Sequence, residues 1–165
     1  IHLGLSNAAT IRAGRAYGAR DGAGLARGGA AAIALSAAVA LATVVLFLTV
    51  PEPLLGAFLD PADPDRATVI GIGVGLLAAA ALFQLADAAQ VMALGLLRGV
   101  QDTRVPMVMA AVSYWVVGLS ASYGLGFLTP LGGVGIWLGL ALGLAVAAVL
   151  MMGRFWLRAV RHLPG

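Results

Sequence analysis

The chain has no cysteine and, among its ten basic residues, no lysine. The first absence excludes a disulfide framework and any thiolate metal site. Its two histidines, His2 and His162, stand at opposite ends, which leaves no metal-ligand spacing. Charge is scarce as well: 10% of the residues are charged, against about 25% in ordinary soluble domains. No nucleophile–base pair or metal cluster is visible, which argues against an enzyme. In place of these stand apolar residues (61%) and 23 glycines. A soluble fold of 165 residues cannot hide so much apolar surface. The composition is that of an all-α integral membrane protein with no organic cofactor.

Four uncharged or nearly uncharged runs are long enough to cross a bilayer: 28–51, 67–97, 105–127 and 133–153. They predict helices at about 29–50, 67–97, 105–127 and 133–158, because lipid offers no water to open backbone groups. An outer-membrane barrel needs short alternating strands, and these runs are apolar on every side. Arg12 follows only eleven residues, roughly 17 Å of helix. The opening, 1–19, therefore reads as the end of a spanning helix that starts upstream, giving about four and a half spans in all. A signal peptide does not fit, because the basic residues follow the apolar stretch.

The charges set the orientation. Arg12, Arg15, Arg20 and Arg27 surround the first connection, Arg98 and Arg104 flank the third, and Arg154, Arg158 and Arg161 fill the tail. The second connection holds Glu52, Asp60, Asp63 and Asp65 against Arg66 alone, and the fourth is uncharged. This alternation puts the arginine-rich side, and the C-terminus, in the cytoplasm of a multi-pass plasma (inner) membrane protein. It also explains the net charge of +3 without a nucleic-acid partner. The short apolar "PLLGAFLD" is expected to lie along the outer interface. Tyr17, Tyr123, Trp137 and Trp156 fall near span ends, whereas Tyr114 and Trp115 fall near mid-span.

Glycines recur four apart: Gly14 and Gly18, Gly95 and Gly99, then Gly135, Gly139 and Gly143. Such spacing lets helix backbones approach closely. "GIGVG" at 71–75 has the look of a nucleotide loop, but it follows no strand and sits inside a span.

Asp87 is the one charge in 67–97. Eleven residues separate it from Arg98, roughly 16 Å of helix, which puts it near the middle of the hydrocarbon. A charge there costs at least ~2.5 kcal/mol on insertion scales. The carboxyl must be protonated, hydrated or paired with a cation. Gln84 and Gln90 lie three residues to either side and Phe83 four before, so they share its helix face. A stripe Gln84–Asp87–Gln90 on an apolar helix reads as the lining of an aqueous path. The alternative is an interhelical hydrogen bond that only fixes packing. A carboxyl in such a place can hold a proton or a metal cation, which is what coupling an ion gradient to solute movement requires.

The stretch "FQLADAAQVMALGLLRGVQDTRVPM" with "SYWVVGL" resembles the second half of the multidrug and toxic compound extrusion (MATE) family, in its bacterial NorM-type branch. "GLSNAATIRAGRAYGARD" resembles the helix and cytoplasmic loop early in that half. The resemblance implies twelve helices in two six-helix lobes, with this chain supplying the end of helix 8 and helices 9 to 12 of the C-terminal lobe. It implies export of small cationic or amphiphilic drugs in exchange for Na⁺ or H⁺, with Asp87 binding the coupling ion. It also implies an N-terminal lobe and an acidic partner on helix 7 outside this chain. Phe83 departs from a frequent tyrosine, and Val100 and Gln101 depart from a common aromatic and lysine.

Other polar residues have plainer expectations. Asp102 or Thr103 would cap the helix that starts near Pro106, with a gating contact as the alternative. Ser6, Asn7 and Thr10 suit interhelical hydrogen bonds, and Asn7 is also a cavity-lining candidate with Phe83, Gln84 and Gln90. Tyr114 and Trp115 offer cation–π faces to a cationic drug, or simple packing. Two other functions compete with antiport: a non-transporting membrane scaffold or interaction subunit, and a lipid flippase of the wider superfamily. The scaffold leaves the Asp87 stripe unexplained, and the "AD…LRG…DTR" pattern argues against the flippase.

Overall fold

The computed structural model describes residues 1–161, so His162 lies outside the described residues. The chain forms α1 (His2–Gly18), α2 (Gly22–Thr49), α3 (Pro51–Gly56), α4 (Arg66–Gly99) and α5 (Arg104–Ala111). A π-helical segment, π1 (Val112–Gly118), then leads into α6 (Leu119–Phe127). Last come α7 (Gly132–Arg154) and a second π-helical segment, π2 (Phe155–Val160). Helix α2, helix α4, the continuous span α5–π1–α6 and the continuous span α7–π2 are each long and apolar enough to cross a membrane. Among the described residues there is no strand. The fold is an all-α polytopic bundle.

Local chemistry sets the ends of the elements. Arg20 takes a left-handed φ of 55° after α1, and Asp21 caps α2 by accepting a 2.7 Å hydrogen bond from the Gly24 amide. That cap starts α2 at Gly22, ahead of the uncharged run, and carries Arg27 inside the helix. Pro51 opens α3 at its first position, where no amide is needed. Helix α4 has 34 residues, roughly 51 Å at the helical rise. A hydrocarbon core is about 30 Å thick, so α4 must tilt or project from it.

Two sets of close contacts hold the bundle together. Helix α1 runs parallel to α4, and hydroxyls on α1 donate into α4 carbonyls. Ser6 Oγ donates to the Val91 carbonyl at 2.9 Å, and Thr10 Oγ1 to the Gly95 carbonyl at 2.8 Å. One turn on, a methyl at Gly14 would lie 3.3 Å from the Gly99 carbonyl. Each rung advances four residues on both helices, the spacing of helix neighbours on one face. The last two spans meet antiparallel. Gly143 faces Gly118, Gly139 faces Ser122, and Gly135 faces Leu125 and Gly126. Ser122 Oγ adds a 3.0 Å hydrogen bond to the Ile136 carbonyl.

Helix α4 is central and packs on α1, α2 and α7. The packing is uneven along it. Ala88, Gln90, Met92, Ala93, Gly95, Leu96, Leu97 and Gly99 are buried, but before them only Ala79 and Ala81 are. The core therefore sits at the arginine-rich end. There Met92, Leu96 and Leu97 meet Leu25, Met151 and Phe155. Gly18 has nothing within contact distance, so not every four-apart glycine packs. In "GIGVG", Gly73 lies under Leu55 of α3 and Gly75 near Val134 of α7, so the motif is a helix surface.

This geometry makes Gly139 the more exacting site. Its added methyl would fall inside contact distance of the Ser122 backbone, whereas a methyl at Gly71 would meet nothing. Gly139→Ala is expected to cost roughly 1–3 kcal/mol through overpacking. Gly71→Ala should stay within roughly 0.5 kcal/mol of the parent. Thermal unfolding of the two purified variants in detergent measures the difference.

Candidate functional site

Asp87 stands at the boundary between the buried and open halves of α4. It is half-buried, as are Phe83 and Gln84 on the same face. Gln90, one turn further on, is buried at 5% exposure. The polar stripe therefore starts on the half-exposed part of α4 and ends inside the core. Among the described residues, the one ion pair joins Asp102 to Arg154, so Asp87 has no cation beside it.

Beside this face, Phe83 meets π1 and α7 across a cavity. Phe83 and Tyr114, with Gly118, Leu140 and Leu144, line a cavity of about 250 Å³. Trp137 braces Phe83 edge-to-face, with ring centroids 5.2 Å apart and an interplanar angle of 82°. The Asp87 carboxylate lies within electrostatic reach of the Tyr114 hydroxyl. Tyr114 sits in π1, and π-helical turns are rare and concentrate at functional sites. The neighbouring Ser113 hydroxyl is buried with no hydrogen-bond partner among the described residues.

A carboxylate, a phenol and a cavity with aromatic walls thus lie near one another. No group of three or more His, Asp or Glu side chains placed to hold a metal ion is found among the described residues.

The remaining candidates are not all brought here. Asn7 is exposed, on the same α1 stripe as Leu3 and Ile11, while Ser6 and Thr10 on the adjacent face make the α4 contacts. Trp115 is 72% exposed and points away from Tyr114, which packs against the core. The two adjacent aromatics therefore do not form one cation–π cage. His2 is buried, and its Nδ1 shares a 2.9 Å hydrogen bond with Ser36 Oγ of α2.

The expected cap at Asp102 or Thr103 is corrected. Thr103 occupies the N-cap position of α5, but its side chain accepts no hydrogen bond from the helix amides. Asp102 turns away from α5, and its Oδ2 accepts a 2.5 Å hydrogen bond from Arg154 Nε at the end of α7. The two side chains are 25% and 15% exposed. The bond ties the elbow between α4 and α5 to the last span. Sequence spacing could not pair residues 52 apart; the only signal was that both lie on the arginine-rich side.

Comparison with known proteins places this geometry. The MatE family model matches residues 1–123. The "Probable multidrug resistance protein NorM" of Brucella suis is 45% identical over 163 residues, covering 99% of this chain and 34% of that protein. The protein of the same name from Mesorhizobium japonicum is 46% identical over 165 residues, covering 99% of this chain and 35% of its own. The chain thus spans about a third of the length of the curated relatives it matches. Its fold superposes with a TM-score of 0.82 on a structure described as the inward-facing conformation of a multidrug resistance MATE family transporter of the MOP superfamily. That match has 22% identity and covers 99% of this chain and 37% of the other.

The Asp102–Arg154 pair gives a stability prediction. Part-buried pairs fall between exposed pairs and fully buried ones. Asp102→Asn and Arg154→Gln are each expected to cost about 1–2 kcal/mol. The double variant should cost clearly less than the sum. Detergent melting curves of the four proteins in the cycle check this; additive losses would show that the two groups act independently.

Proposed function

The chain belongs to the MatE family, and from that membership we propose that it forms most of the C-terminal lobe of a secondary-active multidrug exporter. In this reading α1 is the end of helix 8, and α2, α4, α5–π1–α6 and α7–π2 are helices 9 to 12. The exported solutes are small cationic or amphiphilic drugs, and the coupling ion is Na⁺ or H⁺, held at Asp87. The names of the relatives support multidrug export. The arginine asymmetry supports a plasma-membrane protein with a cytoplasmic C-terminus. The N-terminal lobe and the acidic partner on helix 7 belong to the rest of the polypeptide.

The observation that carries the proposal is the position of Asp87. It is half-buried in a membrane-spanning helix, without an ion pair among the described residues, one turn after Phe83, which walls a cavity with Tyr114. An ionised carboxylate resists removal from water, so the cleft beside it stays hydrated while the group is bare. Once a cation or proton neutralises Asp87, α4 can close against its neighbours at lower cost. The bound ion thus favours one shape of the lobe over the other, and such differential affinity is what allows an ion to drive a conformational change. Phe83 supplies packing against Trp137 but no hydroxyl, whereas Tyr114 brings a phenol within electrostatic reach of this carboxyl.

The test is transport by the full-length protein in proteoliposomes with an imposed Na⁺ or H⁺ gradient. Asp87→Asn is expected to lower ion-coupled drug efflux at least tenfold, and Asp87→Glu to retain part of it. Melting temperatures of both variants should stay near the parent's, since no ion pair is broken. Ordinary coupled efflux by a well-folded Asp87→Asn protein would sink the assignment.

A further inference from the structure

At the arginine-rich end of the bundle a second cavity, of about 620 Å³, opens between the end of α1 and the start of α2. Its size lies in the roughly 300–1,000 Å³ range of ligand clefts. Arg12 and Arg15 form its wall, three residues apart and so on one face of α1. Gly24 and Gly28 form part of its floor; the missing side chain of Gly28 gives it depth, and that of Gly24 leaves room for the Asp21 carboxylate. A methyl placed on Gly28 would come 3.9 Å from Arg12 Nε, so that guanidinium lies over bare helix backbone. Neither arginine forms an ion pair among the described residues. Asp21 also lines the cavity, but its Oδ1 is engaged by the Gly24 amide at 2.7 Å. Two free guanidinium groups thus face one carboxylate that already serves as a helix cap.

We propose that this cavity binds a phosphate anion, supplied by the headgroup of an anionic phospholipid. The planar N–H fork of a guanidinium matches phosphate oxygens. Basic pockets between membrane helices on the arginine-rich side are where such headgroups bind. Continuity with the lipid surface favours the headgroup over a free ion. Ile11, 57% exposed, lies one turn deeper than Arg15 on the same face, and Leu3, 71% exposed, lies two turns deeper still. With the exposed Asn7 between them, they form a mostly apolar track below the guanidinium groups that an acyl chain can follow. The site is remote from Asp87 in sequence and does not depend on the coupling proposed there.

The experiment is native mass spectrometry of the full-length protein, released from nanodiscs containing phosphatidylglycerol and phosphatidylcholine. Phosphatidylglycerol should be retained preferentially. Arg12→Gln and Arg15→Gln should each reduce that retention roughly fivefold, and the double variant about 25-fold. Gly28→Leu fills the cavity while keeping both charges and should reduce retention as well, so a misfolded arginine variant does not decide the matter. Asp87→Asn should leave retention unchanged. Inorganic phosphate is titrated separately, with melting temperature as the readout. Stabilisation by phosphate that both arginines are needed for, with no lipid preference, would keep the anion site but overturn the lipid as its source. Equal retention of the two lipids with no phosphate effect, or a folded double variant that binds like the parent, would overturn the proposal.

Discussion

The structure depends on how closely helix backbones can approach where no hydrophobic force pushes them together. Lipid tails are as apolar as leucine, so helices in a bilayer associate through packing and interhelical hydrogen bonds. Here both act at the same places. Ser6 and Thr10 donate to carbonyls at Val91 and Gly95 because glycine and alanine leave the α4 backbone bare. The α7 glycines let the preceding span lie directly on their backbone. These two seams fix α4 between α1 and α7. Every other feature, the position of Asp87 included, inherits that placement.

Such seams also explain why the bundle is closed at one end and open at the other. The hydroxyl rungs and the large buried side chains Leu25, Met92, Leu96, Met151 and Phe155 lie on the arginine-rich side of Asp87. Beyond it α4 carries mostly half-exposed alanine, glycine and leucine. The Asp102–Arg154 bond clamps the closed end once more, where the chain turns between spans. A charge at the meeting point of a dense region and a loose one is well placed to sense solvent. It costs little while the cleft is wet and much when the cleft dries.

Much of this was legible in the sequence because the bilayer imposes strict rules. Uncharged runs longer than about twenty residues can hardly be anything but helices. The family follows from the stretch around Asp87, and residues 1–123 match its model. Helix periodicity puts Phe83 and Gln84 with Asp87 on one face, and all three are half-buried. What periodicity could not show was depth across the bundle. Gln90 shares the stripe yet is buried, because α4 enters the core one turn after Asp87. Trp115 follows Tyr114 in sequence but points outward. Adjacent residues on a helix diverge by about 100°, and only tertiary contacts decide which of the two faces inward. The Arg154 partner of Asp102 was hidden for the same reason.

The π-helical turn in the third complete span has a cause that no single residue announces. Both ends of that span are held by independent contacts. At one end Asp102 binds Arg154. At the other the small-residue seam pairs Gly118 with Gly143, then Ser122 with Gly139, then Gly126 with Gly135, each step moving four residues in opposite directions. Such a seam leaves no freedom to slip. A methyl on Gly143 would come 2.7 Å from Gly118 Cα and 3.0 Å from the Ser113 carbonyl, so the fit is already tight at the π segment itself. If the chain between two fixed ends has more residues than an α-helix would place there, the excess is taken up by i→i+5 turns. Those turns change the direction in which side chains leave the axis. Tyr114 then faces the cleft beside Asp87, while the Ser113 hydroxyl is left buried without a partner. The orphaned hydroxyl is the local cost, and the Phe83–Tyr114 wall of the cleft is what that geometry produces.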